Sequence, residues 1–186
     1  AVTASGAVQE GVLDPNKIIE TPGKLTITNR YYPNDPGQSR DFVDWKREGF
    51  GRLSLVYALA NSSNVFFYKV GGGYENEIPD GGLGIARLGY YSRALGFDQT
   101  LGVDLPGEVA ARIPTRDWKR LTFGENWATG DTYIAAVGQG YVTATPLQVL
   151  MSVATLANGG RVMQPTMVRE IRDGEGNVVR PFAPQV

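Results

Sequence analysis

The segment Asn61-Ser62-Ser63-Asn64, followed by Val65-Phe66-Phe67-Tyr68-Lys69, holds the residues of this 186-residue chain best suited to chemistry. Ser62 and Asn64 stand two apart, and residues at that spacing do not share a helical face. Both side chains reach one cleft only from a turn that joins two helices. The plainer reading is a helix N-cap, where Ser and Asn are common, and spacing alone favours it. Composition changes the weighting. The chain has no histidine and no cysteine. It therefore holds no Ser-His-Asp triad, no cysteine nucleophile, no thiolate or imidazole metal site and no disulfide. The hydroxyl chemistry that remains is Ser-Lys catalysis, in which a lysine of lowered pKa is the base.

Other constellations are weaker. Gly82-Leu83-Gly84 lacks the third glycine of a dinucleotide loop, since Arg87 stands there and no strand leads in. Asp173 to Asn177 has Val178 where a calcium loop needs its glycine, so a hairpin turn is the better reading. Asp35, Asp41 and Asp44 have the chemistry to gather a hard cation, but scattered loop acids are usually solvated, and that is the expectation here. Glu125 and Asp131 are a candidate carboxylate pair, although Asp131 reads more simply as an N-cap after Gly130. No metal and no cofactor is expected. The net charge of -1, from 18 basic and 19 acidic residues, leaves no footprint for nucleic acid and no polybasic membrane patch. Leu147 to Ala157 is too short and too polar to span a bilayer. No signal peptide opens the chain, so any membrane anchor is expected outside this sequence.

The elements that must position Ser62 and Asn64 are legible in outline. Leu53 to Ala60 reads as a helix, and so does Val65 to Val70, ended by Gly71-Gly72-Gly73. Ala1 to Glu10 has helical spacing without an N-cap. Lys17 to Glu20 and Leu25 to Asn29 read as strands, and the Pro-rich Tyr31 to Arg40 as a surface loop. Leu83 to Leu95 and Pro114 to Arg120 read as helices. Thr145-Pro146-Leu147-Gln148 combines an N-cap, Pro at the first position and a capping box. Its helix, to about Ala157, has almost no polar face and is expected at the centre of a core. Thr166 to Arg172 and Val178 to Phe182 read as a hairpin. No internal linker is evident, so residues 1–186 are read as part of one domain.

Ser-x-Asn is one of three elements of the penicillin-recognising serine enzymes, beside Ser-x-x-Lys and Lys-Thr-Gly. Ser62 to Gly71 resembles the second motif of the class B penicillin-binding proteins, the monofunctional peptidoglycan D,D-transpeptidases. Ala1 to Leu13 resembles the helix after the family's nucleophile motif. Gly102 to Glu108 with Ile113-Pro114-Thr115 resembles its middle segment. Val137 to Gly140, Thr145 to Gln148 and Ala157 to Gly160 resemble its late segment. Phe66-Phe67-Tyr68 leans toward the elongation, penicillin-binding protein 2-like, type. Each motif is weak alone; in this order, over nearly the whole chain, they are specific.

The resemblance implies an α/β, serine β-lactamase/D,D-transpeptidase-like fold, with this chain supplying mainly the helical subdomain plus part of the β-sheet. It implies that an acyl-enzyme forms on D-Ala-D-Ala stem peptides, is resolved by a second stem peptide's amine, and is mimicked by β-lactam antibiotics. Carried over by motif, Ser62 has a catalytic role, bonding the lysine and relaying a proton. Asn64 binds that lysine and the substrate's acyl-side amide. Gly138-Gln139-Gly140 shapes the subdomain near the cleft. None of Lys17, Lys24, Lys46, Lys69 and Lys119 completes Ser-x-x-Lys or begins Lys-Thr-Gly. The chain is thus expected to be an internal fragment, truncated at both ends and inactive alone. Expected partners are stem peptides, β-lactams, cell-wall synthesis proteins and the missing segments of its own domain. The expected location is the extracytoplasmic face of the bacterial membrane. A non-catalytic peptide-binding or scaffold module, and a serine β-lactamase, are the alternatives.

Overall fold

The computed structural model describes residues 1–28, 37, 39–79, 81–183 and 185–186. Most of the expected Tyr31 to Arg40 loop lies outside these. The described chain gathers into two compact units, Ala1–Leu88 with Pro114–Gly140, and Gly89–Ile113 with Tyr141–Val186.

The first unit is built around one buried helix. α1 (Val2–Gln9) lacks a side-chain N-cap, as its sequence implies. β1 (Ile19–Thr21) and β2 (Lys24–Ile27) follow, either side of Pro22-Gly23. They do not pair with each other. β3 (Arg40–Val43) returns antiparallel on β2, and β4 (Gly51–Leu53) on β1, giving two separate two-stranded ribbons. In register, Ile19 faces Leu53 and Leu25 faces Phe42, so each ribbon sends a matched apolar pair into the core. β3 and β4 escape a pattern search because each is so short that a single residue, Phe42 or Leu53, carries its buried face.

α2 (Leu55–Ala60) leads to α3 (Asn64–Gly72), whose residues from Val65 to Gly72 are all buried. α3 runs through Gly71 and Gly72, and only Gly73, at φ +80°, ends it. The expectation that the triple glycine stops the helix is corrected by α6 (Thr129–Ala136), which lies against it. A Cβ on Gly71 would stand 2.3 Å from the Ala136 Cβ, and one on Gly72 2.3 Å from the Tyr133 ring. Close helix approach therefore offsets the roughly 1 kcal/mol that glycine costs in a helix interior. Tyr133 completes the contact, stacking on Tyr68 and donating its hydroxyl to the Gly73 carbonyl at 2.7 Å.

α4 (Gly84–Ala94) begins in the first unit and ends in the second. α5 (Arg116–Phe123) is capped by Thr115, whose hydroxyl accepts from Trp118 N, so Pro114 lies ahead of the helix. Asp131 is not the N-cap of α6: Ala128 holds that place, and the Asp131 carboxylate reaches back to the Ala128 N–H at 2.8 Å. Asp131 and Glu125 do meet, through the buried Lys119 ammonium at 2.7 and 3.3 Å.

In the second unit α7 (Pro146–Ala157) carries the expected capping box, with Thr145 and Gln148 bonding reciprocally. Its burial is the reverse of the expectation. Gln148, Ser152 and Thr155 are buried, while Val149, Leu150 and Val153 are 50%, 63% and 57% exposed. The Gln148 amide decides which side is covered, because it donates to the carbonyls of Gln99 and Ala110 at 2.8 and 2.7 Å. No described residue buries the apolar side. β5 (Glu170–Arg172) and β6 (Val178–Pro181) form the expected hairpin. Its turn is held by the Asp173 carboxylate, which accepts from the N–H groups of Glu175 and Asn177.

Candidate functional site

Asn61, Ser62 and Ser63 make the turn between α2 and α3. Ser62 sits in the left-handed region at φ +51°, which a serine adopts only when its surroundings hold it there. Three sets of bonds do so. The Ser62 N–H donates to Leu59 O and the Ser63 N–H to Ala58 O, closing the C-terminus of α2. The Ser63 hydroxyl caps α3 by accepting from Phe66 N. The Trp45 indole N–H donates to Asn61 O at 3.0 Å.

A fourth anchor is Asp44, 1% exposed. Its Oδ2 accepts from the Ser63 hydroxyl at 2.8 Å and from Val65 N at 3.0 Å, and its Oδ1 from Trp45 N at 2.8 Å. Asp44 was expected among the solvated acids, and the structure corrects that. Three donors replace its water, and the α3 N-terminus favours a negative charge. Its bonds bracket Asn64 on both sides. No local signal marks it, because its partners lie 19 and 21 residues away. Tyr68 registers its charge: burial, and then the Asp44 carboxylate, push the phenol above its ordinary pKa.

The two motif side chains differ in setting. Ser62 is exposed and Asn64 half-buried. Neither makes a side-chain hydrogen bond to a described residue. Asn64 lines an open cleft of 310 Å³, together with Arg40, Asp44, Arg47, Tyr68, Ile134 and Gln139. Ser62 is not among the lining residues. Gln139, from Gly138-Gln139-Gly140, shares this cleft wall with Asn64.

No lysine is joined to Ser62 or Asn64. Lys17 bonds the Glu77 carbonyl and Lys24 the Asp41 carboxylate, while Lys46 lies over the Phe50 ring. Lys69 is buried, ion-paired with Glu77 and bonded to Glu20 O. Lys119 is held by Asp131. Among the described residues no cluster of acids offers a metal site. Asp41 is bonded to Lys24 and Thr26, and Asp35 lies outside the described residues. The turn therefore presents a hydroxyl and an amide with free bonding capacity, and no base of its own.

Residues 1–185 match the family described as "Penicillin binding protein transpeptidase domain". The chain belongs to this transpeptidase family. The transpeptidase segment is 36% identical over 179 residues to the peptidoglycan D,D-transpeptidase MrdA of Haemophilus influenzae, covering 96% of the segment and 24% of that protein. It is 33% identical to MrdA of Escherichia coli K12, over 98% of the segment and 26% of the relative. It thus spans about a quarter of the length of the curated relatives it matches. Among solved structures, PBP2 of Pseudomonas aeruginosa, in complex with WCK 5153, superposes with a TM-score of 0.77 at 32% identity, over 100% of the segment and 37% of that chain. PBP2 of Helicobacter pylori, in its complex with MreC, gives 0.73 at 30% identity, over 97% and 30%. The fold is that of the serine β-lactamase/transpeptidase class, and the segment is a partial transpeptidase domain. No helix among the described residues is long and apolar enough to cross a membrane.

Proposed function

We propose that the full-length protein carrying this segment cross-links peptidoglycan stem peptides ending in D-Ala-D-Ala, through a serine acyl-enzyme that β-lactams also form. The observation that carries the reading is the hydrogen-bonded α2–α3 turn, which presents the Ser62 and Asn64 side chains with no bond to a described residue. Ser62 bonds the catalytic lysine and passes a proton toward the leaving amine. Asn64 holds the same lysine and the substrate's acyl-side amide. The serine nucleophile, that lysine and the backbone donors for the oxyanion come from residues beyond this segment. Both compact units belong to the one transpeptidase domain. The protein works on the outer face of the bacterial membrane, held by an anchor elsewhere in it. Cell-wall synthesis proteins are its partners, a reading supported by the structural relative solved with MreC.

The test is labelling of the full-length protein by a fluorescent penicillin, with the modified residue located by mass spectrometry. One label per molecule on the serine of a Ser-x-x-Lys motif is expected. Peptide binding without any label would favour a non-catalytic module, and rapid release of the label with penicillin hydrolysis a β-lactamase.

A further inference from the structure

The cleft beside Asn64 contains two arginines and two aspartates, and their bonding is unequal. Asp41 is occupied by Lys24 Nζ at 2.7 Å and Thr26 Oγ1 at 2.6 Å. Asp44 is occupied by Ser63, Val65 and Trp45. Arg40 and Arg47 are exposed, and neither guanidinium makes an ion pair or hydrogen bond with a described residue. Arg40 is nevertheless placed: it lies over the buried Phe42 ring, 5.2 Å from the centroid, on the same face of β3. Both carboxylates are thus engaged, Asp41 at the surface and Asp44 in the interior, while the two guanidiniums have no bond to a described residue. Asn64 and Gln139 line the same space, and Phe42 and Tyr68 give it an aromatic lining.

Guanidinium groups match carboxylates in a planar, two-point geometry, and amides add donors to the same oxygens. We propose that this cleft binds a side-chain carboxylate of the peptide substrate through Arg40 and Arg47, alongside Asn64 and Gln139. The assignment deepens the transpeptidase reading and rests on it for the peptide nature of the ligand. Arg40 and Arg47 are binding residues on this view, setting which peptides are accepted, and take no part in proton transfer.

The test uses the full-length protein and two fluorescent stem peptides, one with its side-chain carboxylate free and one with it amidated. Their affinities are compared by fluorescence anisotropy at low and high salt. The wild-type protein is expected to prefer the free carboxylate by roughly tenfold, the ratio a charged hydrogen-bonded contact supports. That preference should shrink in high salt. It should vanish in the R40Q/R47Q double variant and partly survive in R40K/R47K, with melting temperatures confirming that both fold. Equal affinity of the wild type for the two peptides, or an undiminished preference in R40Q/R47Q, would overturn the assignment. Failure of the transpeptidase reading is separate: it appears as wild-type protein that takes no penicillin label, whichever peptide it binds.

Discussion

Asn64 is half-buried on a cleft wall, and its side chain makes no hydrogen bond to a described residue, so its loss should cost function more than stability. Asn64→Ala in the full-length protein is expected to slow penicillin acylation by about 100-fold, the order of a lost acid–base or positioning group. Stopped-flow labelling measures this, and a wild-type rate would remove Asn64 from the site. Asp44 makes the opposite case. Asp44→Ala leaves the Ser63 hydroxyl and the Val65 and Trp45 N–H groups without their acceptor. A loss of about 3 kcal/mol in urea unfolding is expected, against about 1 kcal/mol for Ser63→Ala, which removes one cap. Ser62 and Asn64 can be found in the sequence because the motif is contiguous. Asp44 cannot, because its significance exists only once β3 and α3 lie side by side.

The α3–α6 contact tests how helices were chosen for this fold. Gly71→Ala introduces a methyl 2.3 Å from the Ala136 Cβ, which backbone movement alone can relieve. It is expected to destabilise the protein by about 1–3 kcal/mol, although alanine is the better helix former. A rise in melting temperature would show that the helices are not held this close. A second element, the loop at Asp104, gives a pH signature. The N–H of Met167 and then the Thr166 hydroxyl bond its carboxylate and hold its pKa below the usual value. A depressed folded-state pKa adds stability above the unfolded value of about 3.9. That contribution fades as the pH falls through the lower folded value. An NMR titration of the Asp104 carboxyl should therefore show a midpoint below about 3.9, shifted upward in Thr166→Val.

For the chain taken whole, two outcomes follow from what its 186 residues contain. The isolated polypeptide is expected to take no covalent label from penicillin, because no Ser-x-x-Lys lies within it; stoichiometric labelling of a serine here would refute that. It also presents Val149, Leu150 and Val153 on one open face of α7. Contiguous exposed apolar side chains of this kind bind hydrophobic probes. Dye fluorescence in the isolated polypeptide should fall with L150S/V153S. An unchanged signal would place the sticky surface elsewhere.

Ordered motifs and capping residues were enough to identify the family, the α2–α3 turn, the α7 capping box and the closing hairpin. The turn, the capping box and the hairpin are local: their residues contact one another within a few positions, so their spacing records the structure. The mount for Ser62, the survival of α3 through two glycines, the side of α7 that is buried and the unequal bonding of the cleft charges are not local. They depend on which distant group arrives, the Asp44 carboxylate, the α6 backbone or the Gln99 and Ala110 carbonyls, and only the folded chain brings these into contact.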